Sequence, residues 1–234
     1  MTEELFREDA YLRRCEARVI AVGPSGIVLD RTVFYPEGGG QPGDRGLLET
    51  AAGIAIAIRD TRKGPEGTLF HVPADPTVLP AIGERLVAAI DWDYRHRHMR
   101  MHTCLHLLCA LVPYPVTGGA IGQEKGRLDF DTGEPLEAAS IDAALKALVA
   151  ADLPVAHRWI TDEEMAANMD LVRTMSVKPP MGSGRVRLID IAATDLQPCG
   201  GTHLSHTGEI GDVRIGKIES KGKHNRRVNV HLAR

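Results

Sequence analysis

The sequence predicts an α+β protein in two parts, a small all-β domain over residues 1–95 and a mixed helix-and-strand domain over residues 96–234. Two observations carry this reading. The first ninety-odd residues alternate short apolar runs with glycine and proline, the mark of several short strands closing into a small sheet or barrel. From His96 the apolar residues recur instead at three- and four-residue steps, the period of a helix.

Arg18 to Val22 and Ile27 to Phe34 flank Gly23-Pro24-Ser25-Gly26, which reads as a β-hairpin with a four-residue loop. Ile54 to Asp60, Thr68 to Val72 and Arg85 to Asp91 read as further strands. The helix follows, with Met99, His102, Leu105, Leu108 and Val112 in step until Pro113 stops it. Glycine-rich strands are expected at Val116 to Ile121 and Gly126 to Phe130, and a second helix at Ser140 to Ala151. A third helix starts at Thr161, with Glu164 completing a capping box, and is expected to run to about Thr174. Strands at Val186 to Ile191, Ile210 to Ile218 and Arg227 to Leu232 close the chain.

Composition bounds the function classes. With 234 residues, 43% of them hydrophobic, the chain can bury a real core. Its longest apolar stretches, such as Leu86 to Ile90 and Leu105 to Val112, fall far short of the ~20 residues of a membrane span. The acidic start Met1-Thr2-Glu3-Glu4-Leu5 lacks the basic stretch and apolar run of a secretory signal. A cytoplasmic protein with no membrane partner is expected, and nothing marks an obligate protein partner. Four cysteines are too few for a disulfide framework here, and Cys15, Cys104 and Cys109 read as plain thiols.

The chemistry concentrates in two short pairs, His102 and His106 in His-Thr-Cys-Leu-His, and Cys199 and His203 in Cys-Gly-Gly-Thr-His. On a helix an i, i+4 spacing sets two side chains on one face, about 6 Å apart along the axis. A thiolate with three imidazoles suits tetrahedral zinc, whereas magnesium and calcium ask for oxygens. Ten histidines make one such pair by accident, so the second pair is what carries the reading. Gly200 and Gly201 remove Cβ obstruction there and permit unusual backbone angles.

A further motif, Phe34-Tyr35-Pro36-Glu37-Gly38-Gly39-Gly40-Gln41-Pro42-Gly43-Asp44, is either a flexible turn or a close approach of backbone to a ligand or another segment. It lacks the Gly-Lys-Ser/Thr ending of a phosphate loop. Net charge is −3, so any nucleic-acid contact has to be local. Two basic clusters qualify: Arg95, His96, Arg97, His98 and Arg100, then Lys217, Lys221, Lys223, Arg226 and Arg227. Such runs are otherwise solvated faces.

Thr32-Val33-Phe34-Tyr35 leading into Gly38 to Asp44, Asp91-Trp92, His102 to His106, Arg127 to Asp131, Val186-Arg187-Leu188, Cys199 to His203, Thr207 to Gly211 and Arg226-Arg227 follow in that order. Together they resemble the editing domain of alanyl-tRNA synthetase and its free-standing relatives, the alanyl-tRNA editing (AlaX) proteins. The resemblance covers nearly the whole chain, and Cys-Gly-Gly-Thr-His is its most specific part. Departures are Gln197-Pro198 before Cys199, where synthetases usually carry Glu-Leu, and Lys223-His224-Asn225 before the Arg pair.

The resemblance implies a small β-barrel domain bearing the glycine motif. An α/β zinc-containing editing domain of the threonyl/alanyl-tRNA synthetase second-additional-domain type follows it. It implies a medium-length, free-standing deacylase acting in trans on mischarged tRNA(Ala), with seryl-tRNA(Ala) as chief substrate and glycyl-tRNA(Ala) as a further one. Serine differs from alanine by a hydroxyl, and a site that hydrogen-bonds the hydroxyl rejects the analogue lacking it. Thr32 is the candidate partner by resemblance, with Gln41 close by, and Thr103 between the zinc histidines faces either core or pocket. Arg95, Arg97, Lys221, Arg226 and Arg227 are the candidates for RNA contact.

Zinc, Zn2+, held by His102, His106, Cys199 and His203 is the expected cofactor. Four protein ligands usually signal a structural site, so catalysis requires a fifth position or a yielding ligand. No general base is evident. The rival readings are a zinc-stapled, non-catalytic tRNA-binding module and another zinc-dependent hydrolase. A peptidase is disfavoured because Thr103 follows His102 where His-Glu-x-x-His enzymes place their base.

Overall fold

Alternation of buried and exposed side chains closes the first part of the chain into a barrel. In the computed structural model, which describes residues 2–175, 181–182 and 184–233, the chain divides into two units, Met1–His96 and Arg97–Arg234. The first contains β1 (Glu3–Glu4), β2 (Arg14–Gly23), β3 (Gly26–Leu29), β4 (Arg31–Thr32), β5 (Gly46–Thr50), β6 (Ala55–Lys63), β7 (Leu69–Pro73) and β8 (Arg85–Ile90). Six of them close in the order β2-β3-β7-β6-β5-β8, while β1 and β4 form a short parallel pair outside the barrel. Val19, Ile27, Leu29, Phe34, Leu48, Ile56, Ile58 and Leu86 point inward as its core.

The hairpin forms as expected, but Val22 pairs with Ile27 and Gly23 with Gly26, so its loop is the two residues Pro24 and Ser25. The strand expected to reach Phe34 ends at Leu29. There the Asp30 carboxylate turns back to accept from the Arg18 amide at 2.7 Å.

The glycine motif is a folded knot lying on β6. Gly38 and Gln41 exchange backbone hydrogen bonds of 3.1 and 2.9 Å, with Gly39 at φ 57° and Gly40 at φ 81° in the left-handed region that glycine tolerates. A Cβ on Gly43 would lie 2.1 Å from the Thr61 carbonyl oxygen, so the close approach is to another segment of the chain. Asp44 closes the knot by accepting from the Tyr35 amide at 2.6 Å.

Beyond the barrel come α1 (Trp92–Leu111), β9 (Val116–Ala120), β10 (Lys125–Phe130), α2 (Ala138–Ala150), β11 (Val155–Thr161), α3 (Asp162–Ala167), β12 (Arg185–Ile191), β13 (Asp195–Pro198), β14 (Val213–Ser220) and β15 (Arg226–Leu232). They make two antiparallel sheets, ordered β14-β15-β10-β9 and β11-β12-β13. From His98 to Cys109 every α1 residue but Arg100 is buried, so the ligand-bearing turn of this helix is embedded in protein. A Cβ on Gly126 would lie 2.4 Å from the Met101 sulfur, which puts the inner face of the first sheet on α1.

Helix α1 starts at Trp92, four residues before His96, because the Asp91 carboxylate accepts from the Tyr94 amide at 3.1 Å and caps the first turn. Helix α3 has the predicted capping box but ends at Ala167. There the Asn168 side chain donates to the Glu164 carbonyl at 2.7 Å and the chain leaves helical angles. The strand expected from Ile210 begins at Val213, since Thr207–Ile210 forms a 3-10 turn tied by the Glu209 carboxylate to the Ser205 and His206 amides.

Candidate metal centre

Helix α1 supplies His102 and His106 from one face, their ring centroids 5.3 Å apart. Cys199 and His203 come from the loop after β13, which is not helical, so equal spacing in the two pairs arises from different local structures. Neither Gly200 nor Gly201 takes a positive φ. The loop is shaped by Arg187 on β12, whose Nη1 donates to the Cys199 and Gly201 carbonyls at 3.3 and 2.8 Å, and by the Gly201 amide, which donates to the Cys199 sulfur at 3.4 Å.

The four side chains meet. All their ligating atoms lie within 4.8 Å of one another. The Cys199 Sγ is 3.5 Å from His102 Nε2 and 3.3 Å from His203 Nε2. Zinc with bonds of ~2.3 Å to sulfur and ~2.0–2.1 Å to nitrogen in a tetrahedron separates the two ligand atoms by about 3.5 Å. The donor set and its spacing therefore fit that ion.

Supporting contacts fix which nitrogen each ring presents. His106 Nδ1 donates to Asp195 Oδ2 at 2.9 Å, and the same oxygen accepts from Gln197 Nε2 at 2.8 Å. His203 Nδ1 lies 3.2 Å from Thr103 Oγ1, which also accepts from the Leu204 amide at 3.1 Å. Both rings thus turn Nε2 toward the cluster, an arrangement of ligand and outer partner common at metal sites.

Sequence reasoning missed Asp195, Gln197 and Arg187 as supports. The signal was present: Asp195, Gln197 and Cys199 are two apart, so an extended chain sends all three to one side.

Electrostatics prepare the same residues. Burial pushes the Cys199 thiol up, yet the neighbouring His102 and His203 overcome it and hold it well below the usual thiol range. Burial, reinforced by His102, holds His203 well below the ordinary imidazole value. A thiolate and a neutral imidazole are the states a metal requires. Burial opposes the charge of His106, but Asp195 and Cys199 raise it to about 10, so a cation has to displace its Nε2 proton. Cys104 and Cys109 are ordinary core thiols, each pushed by burial to about 12.

The other candidate residues fall elsewhere. Thr103, for which the sequence left core and pocket open, is fully buried behind His203, its oxygen engaged by the ring and the Leu204 amide. Arg95 is fully buried too, and its place among RNA contacts is corrected for a physical reason. Its guanidinium forms an ion pair with Asp44 and donates to the Ala10 and Val33 carbonyls at 2.9 and 2.6 Å, so no charge is left for a phosphate.

Thr32 and Gln41 are buried in the barrel unit. The Thr32 oxygen accepts from the Phe34 amide at 3.0 Å and lies 2.7 Å from His71 Nε2, while His71 Nδ1 donates to the Ile27 carbonyl at 3.0 Å. Arg97 is exposed, with Gln123 Oε1 3.4 Å away. Lys221 pairs with Glu219 at 2.7 Å, Arg227 holds Asp129 through bonds of 2.7 and 2.8 Å, and Arg226 donates to the Gly222 and Gly133 carbonyls.

The family described as threonyl and alanyl tRNA synthetase second additional domain matches residues 186–229, and that of class II (A) tRNA synthetases matches residues 10–94. An alanyl-tRNA editing protein AlaX-M from Saccharolobus solfataricus is 32% identical over 97% of this chain and 98% of its own. The protein of the same description from Methanosarcina acetivorans is 35% identical, with the same coverage. An alanine–tRNA ligase from Pyrobaculum neutrophilum is 36% identical over 93% of this chain but only 25% of the ligase.

Proposed function

Because the chain belongs to the alanyl-tRNA editing (AlaX) family, we propose that it hydrolyses the ester between a wrong amino acid and tRNA(Ala), with seryl-tRNA(Ala) as chief substrate and glycyl-tRNA(Ala) as a further one. The observation that carries this reading is the convergence of Cys199, His102, His106 and His203 at zinc-like spacing. In the reaction, water adds to the ester carbonyl and the bond to the ribose oxygen breaks. Free amino acid and a tRNA with its terminal hydroxyl restored are released.

Bound at these four residues, zinc would supply a Lewis acid for an ester carbonyl or an anchor for the amino acid's amine or hydroxyl. The protein's own contribution is to hold the ligands. Asp195 keeps the His106 proton on Nδ1, Thr103 does the same for His203, and Arg187 pins the carbonyls of the cysteine loop. One Asp195 carboxylate oxygen, Oδ2, is committed to His106 and Gln197.

Selection of serine is assigned to Thr32, with Gln41 as a neighbour. The Thr32 oxygen already accepts one hydrogen bond, and its proton goes to His71, whose own proton is on Nδ1. What it has left to offer is a lone pair, which a seryl hydroxyl can use and an alanyl or glycyl side chain cannot. Thr32→Val is expected to erode the preference for seryl over glycyl tRNA. Unchanged relative rates would remove Thr32 from recognition.

The closed set of four ligands favours a second reading, a zinc-stapled module that binds tRNA without turnover. One experiment separates the two: purified protein incubated with seryl-, glycyl- and alanyl-tRNA(Ala), with and without chelator, beside His102→Ala. Serine release only by intact, metal-loaded protein is expected. Absence of turnover with unfolding on chelation would establish the stapled module instead.

A further inference from the structure

The exposed face of the four-stranded sheet carries a row of basic residues that folding does not account for. In β10, Gly126, Leu128 and Phe130 are buried, so Lys125, Arg127 and Asp129 point outward. Residues paired directly across antiparallel strands share a face. Lys125 is paired with His231 of β15, and His231 with Arg214 of β14, so three basic side chains lie side by side across three strands.

Lys125 and Arg214 sit on the strands either side of β15, each directly across from the central His231, so register brings two cations to one face of the sheet. Their charges are not offset within the protein. Among the described residues, neither Lys125 nor Arg214 has an ion pair or a side-chain hydrogen bond, and both are exposed. Their combined field is felt by His231, which burial first and then Arg214 and Lys125 hold below the ordinary imidazole value.

The acids of the sheet are used elsewhere. Asp129 is held by Arg127 and Arg227, and Glu219 by Lys221. Asp212 stands just before β14, at the edge of the row. The strand is also cleared over the middle of the row: a Cβ on Gly216, within the β14 bulge, would lie 2.7 Å from His231 Nε2.

We propose that the row Lys125, His231 and Arg214 is a docking surface for the phosphate backbone of the RNA substrate, a polyanion whose charges neutralise it. The proposal rests on the reading of this protein as an RNA-directed hydrolase and adds where the RNA body is held. It also moves that contact away from Lys221, Arg226 and Arg227, whose side chains are already paired within the protein. The row is a positional device with no sequence readout, because phosphate contacts carry none.

The test measures binding of uncharged tRNA(Ala) transcript by fluorescence anisotropy over a salt series, with serine release followed separately. Lys125→Ala/Arg214→Ala is expected to weaken binding about tenfold at low salt and to flatten the plot of log K against log salt by about 1.5, as two lost phosphate contacts require. Lys125→Arg/Arg214→Lys is expected to restore both. Arg158→Ala removes an exposed cation from elsewhere on the same unit and is expected to leave binding unchanged.

Equal weakening by that control, an unchanged slope in the first variant, or no RNA binding by the wild type would overturn the proposal. Serine release failing while RNA binding and its salt slope behave as described would overturn the hydrolase reading and leave the docking surface standing.

Discussion

Asp195 shows how much of the site depends on residues outside the cluster of His102, His106, Cys199 and His203. By accepting from His106 Nδ1 it fixes the ring so that Nε2 faces the cluster. Removing such a partner costs metal sites about 10–100-fold in affinity. Asp195→Ala is therefore expected to weaken zinc binding by that factor in a chelator competition titration, with the fold retained; unchanged affinity would mean that the ring is held by packing alone. The four clustered residues were legible in the sequence because their chemistry and spacing are local. Asp195 and Gln197 left a signal in their two-residue spacing with Cys199, whereas Arg187 left none, since its role emerges only when β12 and β13 pair and bring its side chain to the loop. His71 offers a second test at this scale. Burial lowers its imidazole from 6.5 to about 4, so the unfolded chain takes up a proton that the folded one refuses. Its contribution to stability is full above pH 6.5 and is lost as pH falls toward 4, with a maximum of about 3 kcal/mol. The stability gap between wild type and His71→Gln, read from urea midpoints, is expected to shrink across that window. A gap independent of pH would contradict the buried neutral ring.

At the scale of elements, the first turn of α1 is joined to the glycine motif by the buried pair of Arg95 and Asp44. Breaking one side of such a pair strands the other charge, at about 3–5 kcal/mol. Arg95→Ala is expected to lower the urea midpoint accordingly while leaving RNA affinity intact in any variant that still folds; lost affinity with normal stability would restore Arg95 as an RNA contact. The capping box of α3 is a smaller device. Thr161→Ala is expected to cost about 1 kcal/mol, and no measurable change in the thermal midpoint would argue that the Thr161 bond to the Glu164 amide is dispensable. The same elements show which parts of the fold can be read ahead of a structure. Strands β6, β7 and β8 were legible because one face is wet and the other dry. Strand β5, with adjacent leucines in Gly46-Leu47-Leu48-Glu49-Thr50, and the four-residue β13 carry too little period to stand out, and both went unread. Strand β11 was missed as well: Val155 to Thr161 is intermediate or exposed throughout, so no buried face announces it.

For the whole molecule, a net charge of −3 leaves no general attraction for nucleic acid, and the cations have to work by placement. Placement is what the sequence could not display: Lys125, Arg214 and His231 are far apart in the chain and become neighbours only through strand register. No helix among the described residues is long and apolar enough to cross a membrane. The division into a strand-rich first part and a mixed second part was readable because the hydrophobic period changes from two to about three and a half near His96. The meeting of α1 with the Cys199 loop was readable only from the chemistry of the four ligands. That meeting is the central claim, and X-ray absorption at the zinc edge of the purified protein tests it most directly. The account predicts one zinc per chain, with one sulfur at ~2.3 Å and three nitrogens at ~2.0–2.1 Å, the sulfur vanishing in Cys199→Ser. A metal-free protein at full deacylase activity, or a zinc shell without sulfur in the wild type, would contradict it.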